Sequence, residues 1–414
     1  MKKVLIVLAL ACLGTGLLAD AGVRIEPGRA EVVVAPGSGK VVGFAAQEMA
    51  TFLGESLGAA VPVVETPTDG KAHLFLGEGR YAAAKGIGTA GLERDAFRIV
   101  VGDGAAYIVG RDDRKADPER AFKGLRWAHD YERATLFGVY EFLERYAGVR
   151  FYFPGELGTV VPKRTSLEVP AADFTVTPAF KSRRHSFMHE GSWFEGEKRD
   201  VDSTMRSRWL NAYRLREETA YVPFGHGLVN KGYIQRFGKT HPEYFLLQED
   251  GTRRTSPDVH YPCHLCLTSG IWDEVYRDVR SYLKGEDASV RGVLNRATGK
   301  VGWGIDFQVR KYVDIMPQDC MPRCACAACT AAYDTDDPND FADTILWTKT
   351  AEVGRRLLAE GIGGYVTQMS YVPYARVPNV DLPSNVLVQV AVTGPWAVRD
   401  ENRYARDLAT VRAW

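Results

Sequence analysis

The chain has 414 residues, 45% of them apolar and 25% charged, which is ordinary globular composition and enough chain for about two or three domains. Lys and Arg number 52 against 52 Asp and Glu. This balance argues against a duplex nucleic-acid binder and points to a partner that is itself mostly uncharged.

At the start, Lys2 and Lys3 precede an apolar run from Val4 to Ala11, then Gly14 to Leu18, and Ala19-Asp20-Ala21 supplies a small-residue cleavage pattern. This predicts a signal peptide over residues 1–21 and a secreted or periplasmic protein. The run is too short to span a bilayer as a stable helix, and no later stretch approaches the ~18 apolar residues that crossing requires.

Residues 22–169 alternate between strand and helix patterns. Short β-branched runs at Val32-Val33-Val34, Val61 to Glu65, His73 to Leu76 and Phe97 to Val101 are bounded by Gly or Pro and predict strands. Val42, Ala46, Met49 and Leu53 form one helical stripe that Gly58 can stop, and Leu136, Val139, Tyr140 and Leu143 form a second that ends at Gly148. Gly102-Asp103-Gly104 joins two apolar runs as a hairpin turn. The expectation is a compact α/β domain.

Pro170 and Pro178 mark a linker, and residues 178–414 read as longer strand-then-helix units. Strands are expected near Ser182 to His189, Asn211 to Leu215, His264 to Thr268, Tyr312 to Met316, Tyr365 to Ser370 and Val386 to Val392. Ile271 to Leu283 reads as a helix, and so does the stripe Leu346, Thr350, Val353 and Leu357 that Asp343 can cap. Repeated βα units predict a (β/α)8 TIM-type barrel, α/β in class, of which about six strands fall within the sequence.

The segment Ala134 to Gly155, preceded by Tyr107-Ile108-Val109-Gly110-Arg111, resembles the α/β domain that precedes the barrel in alpha-glucuronidases and beta-hexosaminidases. His241-Pro242-Glu243-Tyr244-Phe245, Cys266-Leu267-Thr268, and Asp319 followed by Cys324-x-Cys326-x-x-Cys329 resemble the bacterial Domain-of-Unknown-Function 4838 family. Tyr371-Val372-Pro373 and Ser384-Asn385-Val386 fit the same resemblance. It implies an exported, two-domain, glycoside-hydrolase-like protein. Gln318-Asp319-Cys320 departs from the Asn-Asp-Asn-like tripeptide expected there.

Barrel enzymes carry their chemistry at the C-terminal ends of strands, so Asp319, just past the Tyr312 to Met316 strand, is the candidate catalytic carboxylate. Glycosidic cleavage pairs one acid with a nucleophile or base, unless an N-acetyl group of the substrate stands in for the protein nucleophile. Glu190 and Asp314 are the visible second carboxylates, with Asp314 expected to face the wall. Arg183 and Arg184 open the first barrel strand, and alternation points only one of them inward; Arg184, so placed, could clamp a uronic acid or form a structural ion pair.

Asn211 and His226, the latter in Phe224-Gly225-His226-Gly227, are candidate contacts to sugar hydroxyls. Trp193, Trp396 and Tyr371 follow strand ends and are candidate stacking platforms, whereas Trp209, Trp272 and Trp347 lie on helices and read as core. The expected activity is glycosidic bond hydrolysis in a complex polysaccharide or glycan. The alternative is a non-catalytic, secreted carbohydrate-binding protein on a degenerate barrel.

Besides Cys12, the cysteines are Cys263, Cys266, Cys320, Cys324, Cys326 and Cys329. An even count in an exported chain is open to disulfides, while Cys263, Cys266, Cys324, Cys326 and Cys329 have the spacing of a structural zinc site. Gly77-x-Gly79 and Gly102-x-Gly104 lack the rest of a nucleotide-binding fingerprint, so no nucleotide cofactor is expected.

Overall fold

The computed structural model describes residues 22–124, 126–183, 201–253, 255, 264–295, 298–304, 309 and 311–414. The signal-peptide reading, the first expected barrel strand beyond Arg183, and Arg184, Glu190, Trp193 and Cys263 lie outside the described residues. The chain divides into two units, Met1–Tyr221 and Val222–Trp414.

In the first unit the elements are β1 (Val23–Ile25), β2 (Ala30–Val34), α1 (Lys40–Leu57), β3 (Val63–Val64), β4 (Ala72–Leu76), α2 (Arg80–Ala84), β5 (Phe97–Gly102) and β6 (Ala105–Gly110). They continue with α3 (Pro118–Ala121), α4 (Ala134–Phe142), β7 (Arg150–Phe151), β8 (Thr159–Val160), β9 (Leu167–Val169), β10 (Ala172–Val176) and α5 (Val201–Arg214). A six-stranded mixed sheet runs in the order β10-β5-β6-β4-β2-β3. β2, β3, β4 and β6 run parallel; β5 pairs antiparallel with β6, and β10 pairs antiparallel with β5 and so runs with the parallel set.

Side-chain alternation along these strands builds two cores. Val32, Leu74, Ile99 and Ile108 pack with Val42, Met49 and Leu53 of α1 and Leu136, Val139 and Tyr140 of α4. Val33, Phe75 and Tyr107 face the opposite side, where the Phe75 and Tyr107 rings stack with centroids 4.8 Å apart.

The turn chemistry follows the sequence. Gly58 ends α1 in the left-handed conformation at φ 67°, and the backbone turns from β5 to β6 through Asp103 at φ 51° and Gly104 at φ 73°.

The segment expected to be a strand at Asn211 to Leu215 is instead the end of α5 and the start of the turn that follows it. Trp209, Leu210, Ala212 and Tyr213 bury into the first unit's core. The apolar positions there follow the helical period, and burial against α4 and the aromatics around His129 satisfies them. His129 Nδ1 and the Tyr131 hydroxyl both meet the Tyr213 hydroxyl, at 2.7 and 2.5 Å. The unit boundary thus falls after Pro178, at Tyr221.

The second unit contains α6 (Tyr233–Phe237), α7 (Ile271–Leu283), β11 (Tyr312–Asp314), α8 (Ala327–Ala332), α9 (Asp343–Ala359), β12 (Tyr365–Ser370), β13 (Val386–Val390) and α10 (Glu401–Ala413). β11, β12 and β13 form a parallel sheet in chain order, and α9 lies between β11 and β12 in the chain. Among the described residues this sheet has three strands and does not close, so the expected six-stranded run of a TIM barrel is corrected to an open parallel sheet with helices.

The expected strand at His264 to Thr268 is an isolated antiparallel bridge. Leu265 pairs with Phe245, Leu246 N donates to His264 O at 2.9 Å, and Cys266 N donates to Tyr244 O at 2.9 Å. The segment satisfies its backbone against the preceding loop rather than against β11. Trp272 and Trp347 are core residues as expected. No helix among the described residues is long and apolar enough to cross a membrane.

Gly138 sets the spacing between α4 and the sheet. A Cβ there would stand 2.5 Å from Ile108 Cγ2 and 3.1 Å from Phe97 Cδ2. Gly→Ala inside a helix ordinarily stabilises by about 1 kcal/mol; here overpacking reverses the sign. Gly138→Ala is expected to destabilise the first unit by ~1–3 kcal/mol, read as a lower urea midpoint at constant slope, and a raised midpoint would contradict this packing.

Candidate functional site

The site is built on the C-terminal edge of β11 and β12. Asp314 pairs in register with Thr367, and Ile315 N continues the pairing to Thr367 O at 3.1 Å, so the two strands leave the sheet side by side. The β11 chain then runs through Pro317 and Gln318 to Asp319, and β12 passes directly into Tyr371.

The Tyr371 hydroxyl donates to Asp319 Oδ1 at 3.2 Å, and Cys320 N donates to the same oxygen at 2.9 Å. Oδ2 of Asp319 has no hydrogen bond among the described residues, and the side chain is half-buried. Cys320 holds a left-handed φ of 55°. Such a backbone costs a non-glycine residue about 1 kcal/mol or more.

His226 arrives from the segment between α5 and α6. Gly227 packs against the strand end so closely that a Cβ would lie 2.3 Å from Asp314 O, a position open only to glycine. Leu228 N donates to Met316 O at 3.1 Å. The buried Lys231 ammonium donates to Gly227 O at 2.7 Å and Asp314 O at 2.8 Å.

These contacts hold His226 at φ 54° with Nδ1 2.7 Å from Pro317 O. A carbonyl only accepts, so Nδ1 donates here, and the tautomer this contact selects carries its lone pair on Nε2. The ring stands edge-on to Tyr371 with centroids 5.9 Å apart.

Burial, followed by the Asp319 carboxylate, pushes the Tyr371 hydroxyl above the ordinary tyrosine range. Tyr374, three residues on, is fully buried. Burial, then the charges of Asp314, Tyr371 and Asp319, push its hydroxyl well up. Asp314 is buried, with Oδ1 accepting from Met316 N at 2.8 Å.

Beside this edge, a cavity of about 160 Å³ is lined by Pro317, Gln318, Met321, His264, Trp272 and Asn295 among others. Gln318 is 8% exposed, and its Oε1 has no hydrogen-bond partner among the described residues. A buried polar atom of this kind, at the wall of a cavity, is ready to meet a ligand hydroxyl.

Three sequence candidates, Asp319, His226 and Tyr371, thus come together. Asn211 does not join them. It is 4% exposed on α5 in the first unit, so its expected place on a barrel strand is corrected. Trp396 sits on the 3-10 turn Gly394–Arg399 and is 75% exposed. Arg183, the neighbour of Arg184, is committed to structure: its guanidinium meets Asp95 Oδ2 at 2.6 Å and Arg216 O at 3.0 Å.

Sequence reasoning passed over Tyr374, Gln318 and Lys231. Gln318 was the one with a local signal, as the immediate neighbour of Asp319.

No disulfide joins the five described cysteines. Cys266, Cys324, Cys326 and Cys329 bring their Sγ atoms within 4.8 Å of one another, while Cys320 is exposed beside Asp319.

A family model for a domain of unknown function, DUF4838, matches residues 153–393. The chain belongs to the DUF4838 family. No curated protein matches it.

Among solved structures, it is similar to a family GH115 4-O-methyl-alpha-glucuronidase with specificity for decorated arabinogalactans, at 12% identity and TM-score 0.33, covering 94% of this chain and 40% of that one. It is also similar to the GH20 beta-N-acetylhexosaminidase of Streptomyces coelicolor, at 14% identity and TM-score 0.37, covering 95% and 71%. A third likeness is to the N-acetyl-beta-hexosaminidase of Streptomyces plicatus, at 12% identity and TM-score 0.36, covering 95% and 70%. This DUF4838 member therefore spans well under half the length of the glucuronidase.

Two outcomes test the site geometry. Asp319→Asn removes the negative charge beside Tyr371, so the Tyr371 hydroxyl is expected to titrate at lower pH than in the parent, read by NMR of carbon-labelled tyrosine; an unmoved midpoint would contradict the contact. Lys231→Met keeps the side-chain length but leaves two buried carbonyls without this donor. It is expected to destabilise the second unit by ~2–4 kcal/mol, and a loss below ~0.5 kcal/mol in chemical denaturation would remove the pin from the account.

Proposed function

We propose that this DUF4838 protein hydrolyses glycosidic bonds in a polysaccharide or glycan, with Asp319 as a reacting carboxylate. The observation that carries the reading is the meeting of Asp319, Tyr371 and His226 at the C-terminal edge of adjacent parallel strands. Ligands of parallel α/β sheets bind at that edge.

Tyr371 and the Cys320 amide fix Oδ1 of Asp319. The carboxylate can then present Oδ2 to a sugar ring, either moving a proton at the glycosidic oxygen or stabilising the charge that develops on the ring. His226 presents Nε2, a hydrogen-bond acceptor for a sugar hydroxyl. Gln318 offers a second acceptor from the cavity wall.

The second reacting group is either an acid outside the described residues, such as Glu190, or an N-acetyl group of the substrate itself. Trp396, exposed, is available to stack on a sugar face. Export through residues 1–21 would bring the enzyme to extracellular or periplasmic glycans.

The test is turnover on a panel of aryl glycosides and polysaccharides, followed by variants on whichever substrate is cleaved. Asp319→Asn is expected to lower kcat by ~10²–10⁴-fold, with a smaller loss for His226→Ala. Unchanged turnover in Asp319→Asn would reject the role of Asp319. Calorimetric binding of glycans without any cleavage would favour the carbohydrate-binding alternative.

A further inference from the structure

We infer that Cys266, Cys324, Cys326 and Cys329 form a tetrathiolate zinc site that staples the Asp319 loop to the segments around Phe245 and Leu265. The inference does not depend on the glycosidase reading. Cys266 Sγ lies 3.7 Å from Cys326 Sγ and 3.6 Å from Cys329 Sγ, and all four sulfurs fall within 4.8 Å of one another. Four sulfurs at about 2.3 Å from a central zinc stand ~3.8 Å apart along the edges of a tetrahedron. A disulfide would need about 2.05 Å between one pair. One compact group of four sulfurs fits a single tetrahedral ion better than two separate pairs.

Local structure explains how the sulfurs meet. Cys326 caps α8 and Cys329 lies in its first turn, so the x-x spacing puts both on one side of the helix start. Cys324 is held from the other side: Leu247 N donates to its Sγ at 3.3 Å, and Ala325 N donates to Leu247 O at 2.8 Å. Cys266 is carried in by its own amide, bonded to Tyr244 O at 2.9 Å.

Donors converge on the sulfurs as they do on metal-bound thiolates, which need outer hydrogen bonds to offset their charge. Besides the Leu247 amide, Cys329 N donates to Cys326 Sγ at 3.4 Å, and the Thr268 hydroxyl lies 3.2 Å from Cys329 Sγ. Three of the four cysteines are buried, so the ion would be closed to substrate and structural in role. Binding balances as one zinc ion gained and up to four thiol protons released.

The test uses the full chain, purified without added metal, with zinc measured by mass spectrometry and free thiols counted under denaturing conditions. Wild type and Cys320→Ser are expected to carry about one zinc per chain, and Cys329→Ser to lose it by at least ~10-fold. If Cys329→Ser does not fold, replacing the metal in wild type with cobalt still decides the question, because a tetrathiolate site gives intense thiolate-to-cobalt charge transfer. Metal-free wild type with these cysteines in disulfides, iron in place of zinc, undiminished zinc in folded Cys329→Ser, or a cobalt spectrum without thiolate bands would each overturn the assignment.

Discussion

The geometry of the second unit depends on the buried ammonium of Lys231. A charge taken out of water is tolerated only where oxygen atoms surround it, and Lys231 finds Gly227 O on its own loop and Asp314 O at the end of β11. The cation thereby ties a glycine-rich loop to the strand edge. His226, one residue before Gly227, is set against Pro317 by the same tie, and the chain beyond Pro317 leads to Asp319. Loop position, imidazole orientation and carboxylate placement are consequences of one satisfied charge.

The parallel sheet supplies the other half of the arrangement. Because β11 and β12 run in the same direction and in register, their C-terminal extensions emerge together, and residues distant in sequence meet without a long-range loop closure of their own. Asp319 and Tyr371 are joined in this way. His226, edge-on to Tyr371, and Cys320, bonded to Asp319, both hold left-handed backbones. Strain at non-glycine residues persists where the surroundings over-determine the conformation, and here hydrogen bonds to Pro317 O and Asp319 Oδ1 do so. Family membership and site geometry are independent observations, and the proposed chemistry rests on the second.

Much of the first unit was legible because its signals are local. The stripe Val42, Ala46, Met49 and Leu53, the stop at Gly58 and the Gly102 to Gly104 hairpin each depend on a few neighbouring residues whose period or backbone freedom has one good solution. The strands Tyr365–Ser370 and Val386–Val390 were read for the same reason. Asn211 was misplaced because a short apolar run satisfies both periods at once, and burial of Trp209 and Tyr213 against α4's side of the first core decided for helix. The stretch around Leu265 was misread because its bonding partner, Phe245, is a loop.

By itself the sequence determined where the chemistry-bearing residues lie along the chain: a carboxylate just past one strand, a tyrosine just past the next, a histidine between glycines and a Cys-rich loop. Composition and periodicity are properties of neighbours in the chain, so they reach that far. Only the tertiary structure decided which of these meet, since contacts such as Tyr371 with Asp319 or Cys266 with Cys329 join residues dozens of positions apart through sheet register and loop pairing. It also removed Asn211 from the group and brought in Gln318 and Tyr374, whose burial no local pattern announces.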